Sequence, residues 1–224
     1  EDNGPLLQKI VLAHAERWGL EEGFRQWVRE SCLFCATLVD RIVSGHPQAM
    51  AEFDERLGFH DPLLVVAEPY ALWVIECPDP AALEARLPLR EAGCPVVFTT
   101  DLRPYRERKV RILNGAHTGS ILGARLAGID NVAELMDDPD FGSFLCQMVM
   151  EEIVPTVPLP REEAEAFARD VFERFQNPFL DHKLSSIALN SVAKWTSRIL
   201  PSLRDSLAQE GQLIITRDGV VVTP

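Results

Sequence analysis

Along this 224-residue chain the spacing of apolar positions changes character near residue 100. PLLQKIVLAHAERW (5–18) sets apolar residues at helical spacing, with Pro5 suited to a first turn, and LEEGFRQWVRES (20–31) predicts a second helix after Gly19. FCATLVDRIV (34–43) reads as a buried strand running into a loop. After the break at GHP, residues 47–58 predict a short helix closed by Gly58. DPLLVVAEP (61–69) and YALWVIE (70–76) are rich in β-formers and interrupted by Pro69; a short helix over 80–86 and an apolar strand over 94–100 follow. From Asp101 to about Gln209 nearly every segment has helical periodicity. Helices are predicted over 102–127, 131–137, 139–152, 161–175 and 178–199, with VPTVPLP (154–160) as a Pro-punctuated connection. QLIITRDGVVVTP (212–224) predicts a hairpin turning at Asp218-Gly219. The pattern is α+β, mainly α, with a boundary between a mixed part (1–97) and a helical part (98–224).

Composition narrows the function classes. Hydrophobic residues at 46% and charged residues at 25% match a globular protein with a real core. A net charge of −12 repels phosphate backbones, which argues against nucleic acid as a partner. No apolar run approaches the roughly 20 residues that span a bilayer, so no membrane partner is expected. Glu-Asp-Asn-Gly at the start has neither the basic nor the apolar region of a signal peptide. Five scattered cysteines suit a reducing cytosol, so a cytoplasmic location is expected, and the lone C-x-x-C at Cys32 and Cys35 lacks the second pair a metal site needs. No His, Cys and carboxylate set has zinc-like spacing, and no metal is expected. Nothing in the chain indicates an oligomeric state.

The candidate chemistry lies in RKVRILNGAHTGS (108–120). At about 100° per residue, Lys109 and Asn114 lie roughly 140° apart and Asn114 and His117 roughly 60° apart, so all three can border one cleft. A lysine whose pKa is lowered by burial or by neighbouring cations can pass a proton near neutral pH. An amide and an imidazole can donate hydrogen bonds to an oxygen on which negative charge grows. Gly115 would let a ligand approach the backbone. The same spacing also suits a partly exposed basic helix with one core histidine. The glycines of GAHTGSILGA, four apart, lack the strand-to-helix context of a phosphate-binding G-x-G-x-x-G.

PYRERKVRILNGAHT (104–118) resembles the K-x4-N-x2-H signature of the long-chain mannitol dehydrogenase family of polyol dehydrogenases. TLVDRIV (37–43), AEPYALWVIE (67–76) and ERFQNPFLDHKLSSIALNSVAKWTSRILPSL (173–203) are similar to further segments of that family, and the wording is closest to its uronate-reducing branch. The resemblance implies the C-terminal part of a Rossmann-type domain followed by a multi-helical domain. It implies metal-independent hydride transfer between NAD(H) and a sugar acid or polyol, in this branch from NADH to the ketone carbon of D-tagaturonate, giving D-altronate. Lys109 would be the acid–base group, Asn114 and His117 would hold the reacting oxygen, and Asp40 would face the cleft. A uronate carboxylate calls for basic partners, for which Arg174, His182, Lys194 and Arg198 are the candidates.

The family's Gly-rich fingerprint has no counterpart in the chain, and the β-rich end departs from the family's helical continuation. The expectation is a fragment whose NAD is bound largely by a missing N-terminal segment, so that the chain alone would bind NADH weakly. Other mannitol- or fructuronate-type dehydrogenases, and a helical binding module without catalysis, stay open as alternatives.

Overall fold

The computed structural model describes residues 3–47, 49–210, 212–216 and 219–223. The chain opens with α1 (Asn3–Arg17), α2 (Glu22–Ser31), β1 (Ala36–Asp40), β2 (Val43–Gly45), α3 (Met50–Leu57) and β3 (Val66–Ala67). β4 (Leu72–Glu76), α4 (Pro80–Arg86) and β5 (Val96–Thr99) follow. α5 (Arg103–Glu107) continues through a π-helical segment, Arg108–Leu113, into α6 (Asn114–Leu126). After α7 (Val132–Asp137), α8 (Pro139–Gln147) runs into a second π-helical segment, Met148–Ile153, and a 3-10 turn, Val154–Thr156. α9 (Arg161–Phe175), α10 (Leu184–Ile187), α11 (Ser191–Arg198), α12 (Leu200–Glu210), β6 (Gln212–Thr216) and β7 (Gly219–Thr223) complete it.

These elements form two compact units that interleave in sequence. Residues 1–41 and 70–106 make the first; residues 42–69 and 107–224 make the second.

In the first unit β4 lies between β1, antiparallel to it, and β5, parallel to it. A parallel pair needs a crossover, and α4 supplies it. Pro80 starts that helix, and the Asp79 side chain accepts from the Ala82 N–H at 3.0 Å. Successive strand residues face opposite ways: Val74 packs with Ala36 and Leu102, whereas Ile75 packs with Val96 and Phe98. The sheet is thus apolar on both faces, as a Rossmann-like layer requires. α1 meets β1 so closely that a Cβ on Gly4 would lie 2.4 Å from the Cys35 carbonyl. Beside it the Asn3 amide pairs with the Thr37 backbone, accepting from its N–H at 2.9 Å.

The second unit is built around α6. Ile112, Leu113, Ala116, Ile121 and Ala124 form one core with Leu145 and Val149, with Ala164, Phe167 and Val171 of α9, and with Leu184 and Ile187 of α10. β2 and β3 form a short bulged antiparallel pair in this unit, so the strand expected over 34–43 divides at Arg41. Gly58 ends α3 in the left-handed conformation at φ 77°, as expected there. The single helix expected over 178–199 is instead two short ones. Across this stretch the backbone groups bond outside any helix: Val132 N–H donates to the His182 carbonyl at 3.1 Å and Leu184 N–H to that of Asp130 at 2.9 Å. Asn190, at φ 58°, then sets off α11. β6 and β7 pair antiparallel as a hairpin; Asp218, expected at its turn, lies outside the described residues.

Candidate functional site

Arg108–Leu113 is wound as a π-helix, and the Asn114 N–H donates to the Lys109 carbonyl five residues back. In a plain α-helix those side chains would diverge by about 140°. The wider π turn stacks residue i+5 above residue i. Lys109 and Asn114 therefore lie one turn apart on one side of the helix. Regular α geometry resumes at Asn114, and His117, three residues on, occupies the adjacent position of the next turn. Lys109 and Asn114 are half-buried, and the Asn114 carbonyl accepts the Thr118 hydroxyl at 2.8 Å.

His117 is 5% exposed. Its ring lies flat on Phe175, with centroids 4.2 Å apart and planes at 10°, and meets the edge of His182 at 5.1 Å. Among the described residues no group hydrogen-bonds its Nε2. Burial first, then the fields of His182, Arg198, Arg174 and Lys194, holds its pKa well below the usual histidine range. The ring is neutral at pH 7, so one nitrogen carries a proton and the other a lone pair. Burial also lowers the pKa of His182, partly offset by the Glu68 carboxylate.

α11 carries Lys194 and Arg198 one turn apart. Lys194 Nζ donates to the Ile187 carbonyl at 2.7 Å, and Arg198 Nη1 to the Thr118 hydroxyl at 3.3 Å. Burial, then the charge of Arg198, lowers the lysine pKa; burial lowers that of the arginine. Among the described residues neither has a carboxylate partner. Arg174 differs: its guanidinium forms a two-point pair with Glu68, at 3.0 and 2.8 Å, with both side chains buried.

The second unit thus gathers Lys109, Asn114 and His117 on one helical run, with His182 in ring contact and Lys194, Arg198 and Arg174 within electrostatic reach of His117. Asp40 belongs to the first unit, where it ends β1 opposite Leu72 and is buried at 2%. Glu68 and Phe175 were not singled out from sequence; an acidic residue inside an apolar β-rich run, in AEPYALWVIE, was the available signal for Glu68. The expectation for Gly115 is corrected. A Cβ there would meet Ile153 at 3.4 Å and the Arg198 carbonyl at 3.6 Å, so the glycine admits neighbouring protein rather than a ligand. Gly119 and Gly123 lie closer to their neighbours, where a Cβ would meet Met148 at 2.5 Å and Phe141 at 3.2 Å.

Among the described residues no three His, Cys, Asp or Glu side chains gather as a metal site, and no helix is long and apolar enough to cross a membrane. An open cavity of about 670 Å³ in the second unit, lined by residues including His46, Phe53, Phe179 and Lys183, contains none of the site residues. Lys183 there is tied to Asp130 and Asp181, and His46 to the Leu64 carbonyl.

Residues 1–89 match the family model of the mannitol dehydrogenase Rossmann domain, and residues 101–216 that of the mannitol dehydrogenase C-terminal domain. Altronate oxidoreductases of Escherichia coli O139:H28 and of Shigella flexneri are each 45% identical over 212 residues, covering 94% of this chain and 44% of their own length. Among solved structures, the ternary complex of Pseudomonas fluorescens mannitol 2-dehydrogenase with NAD and D-mannitol has a TM-score of 0.72 at 24% identity, covering 94% of this chain and 42% of that one. A substrate-free D-sorbitol dehydrogenase reaches 0.77 at 24% identity, covering 94% and 43%. The chain spans less than half the length of these relatives.

Proposed function

The chain belongs to the mannitol dehydrogenase family, and from that premise we propose that it carries the proton-transfer and oxygen-binding groups of an NADH-dependent tagaturonate reductase, converting D-tagaturonate to D-altronate. The altronate oxidoreductases at 45% identity support the substrate. The carrying observation is the π turn, which lines up an ammonium and a carboxamide ahead of a neutral imidazole.

In this reading Lys109 gives its proton to the ketone oxygen as that oxygen becomes a hydroxyl. The Asn114 amide and the protonated nitrogen of neutral His117 donate hydrogen bonds to the same oxygen while charge grows on it. When bound, NADH supplies the hydride, and the Rossmann-like first unit is the part that would hold it. Lys194 and Arg198, half-buried cations without a carboxylate partner among the described residues, are the recognition pair for the uronate carboxylate. His182 stands at the His117 ring, and Arg174 acts through its pairing with Glu68.

The test is tagaturonate-dependent NADH oxidation by the protein carrying this sequence, beside Lys109→Ala. A fall in kcat of roughly 100-fold or more is expected on loss of the acid–base group; wild-type turnover in the variant ends the assignment. Lys194→Met is expected to raise KM for the uronate at least tenfold while leaving that for an uncharged ketose within twofold. An equal rise for both substrates removes the carboxylate role.

A further inference from the structure

We propose that Glu68 is a positioning residue for the His117–His182 pair: through Arg174 it fixes the last turn of α9, and with it the Phe175 ring on which His117 lies. The proposal rests on the reading of His117 as an oxygen-binding group.

The linkage can be followed atom by atom within the second unit. Glu68 is 1% exposed, and its carboxylate accepts from the Arg174 guanidinium and from the Ile42 backbone. Arg174 Nε reaches Oε2 at 3.0 Å, Arg174 Nη2 reaches Oε1 at 2.8 Å, and the Ile42 N–H reaches Oε1 at 2.5 Å. The Glu68 N–H in turn donates to the Ile42 carbonyl at 3.1 Å, so backbone and side chain are held by the same residue. A carboxylate gripped on both oxygens cannot rotate, and its fork-on-fork pairing sets the plane of the guanidinium. Arg174 and Phe175 are the last two residues of α9. Phe175 is stacked on His117, whose edge contact is His182. Ile42, Arg174, Phe175 and His182 line one small cavity together.

Stability alone is a weak reason for such a pair. Buried ion pairs are commonly matched or bettered by apolar side chains of similar volume. What an apolar pair cannot reproduce is the directional grip. With Phe175 stacked on one face and His182 perpendicular to it, the plane of the His117 ring is held, and among the described residues its Nε2 has no hydrogen-bond partner.

The test compares Glu68→Gln, Arg174→Gln, their double variant and the apolar pair Glu68→Met with Arg174→Met. Two readouts are used: the His117 ring-proton shifts by NMR, which the Phe175 ring displaces upfield in the native protein, and kcat against KM. Each single variant is expected to lose most of that upfield displacement and to lower kcat tenfold or more with KM within twofold. The double variant is expected to be no worse than the worse single one, since both act through one link. The apolar pair covers the case in which a single variant fails to fold. It is expected to fold and to show the same losses. Native ring shifts together with native kcat in Glu68→Gln, or native kcat in the apolar pair, would overturn the proposal. If the protein turns over no uronate, the shifts alone decide: retained displacement in Glu68→Gln overturns it, and loss supports it while the dehydrogenase reading fails separately.

Discussion

His117 couples the site to the stability of the fold. Its folded pKa lies below the unfolded value of about 6.5. As pH falls, the unfolded chain therefore takes up the proton first. The contribution is fully present above pH 6.5 and is lost below it, down to the depressed folded pKa, with a slope of up to about 1.4 kcal/mol per pH unit for one group. His182, shifted the same way, steepens the loss. Urea unfolding at pH 7.5 and 5.5 is expected to show lower stability at the acid value, and His117→Phe, which keeps the stack on Phe175, is expected to flatten the difference. An unchanged pH dependence in that variant would remove His117 as its source. At this scale the sequence was informative where partners are close along the chain. Lys109, Asn114 and His117 share nine residues and one helix. Glu68 was silent because its partner Arg174 is 106 positions away, and local spacing carries no trace of such a pair.

Elements were legible in kind more than in detail. The apolar period identified α4 and α9 over the expected residues and α7 to within one, whereas the helices expected over 102–127 and 139–152 each join α-helix to a π-helical segment. It missed both π-helical segments, because a one-residue widening leaves an apolar stripe almost unchanged while moving the polar groups beside it. Deleting Val110 is expected to restore α-helical winding through 108–114. Circular dichroism should then keep its helical signal while turnover falls at least 100-fold; retained turnover would show that the π turn is dispensable. Close helix contacts give a second contrast. A Cβ on Gly142 would lie 2.5 Å from the Met136 carbonyl, whereas one on Gly119 would meet the Met148 sulfur at 2.5 Å. A thioether can swing aside and a backbone carbonyl cannot. Gly142→Ala should therefore destabilise by at least about 1–3 kcal/mol, the usual scale of overpacking, and Gly119→Ala by clearly less. Equal midpoint shifts in urea would contradict this ranking.

At the scale of the whole molecule, the reading from sequence placed a change of character near residue 98, whereas the compact units interleave, with residues 42–69 belonging to the helical one. A strand's own pattern does not say which core it joins, so β2 and β3 could not be assigned from their residues alone. Expressed by themselves, residues 107–224 would lack Glu68 and leave Arg174 buried without its carboxylate. That costs about 3–5 kcal/mol, a large share of the roughly 5–15 kcal/mol that holds a domain together. The isolated piece is expected to show no cooperative thermal transition and to regain one on co-expression with residues 1–106; a sharp transition in the piece alone would refute this. The interleaving also has a consequence in time. At a synthesis rate of roughly 5–20 residues per second, Glu68 leaves the ribosome about 5–20 s ahead of Arg174, which follows 106 positions later. Throughout that interval the 42–69 excursion waits for the core it packs against, and its ion pair with Arg174 closes only once the end of α9 has been made.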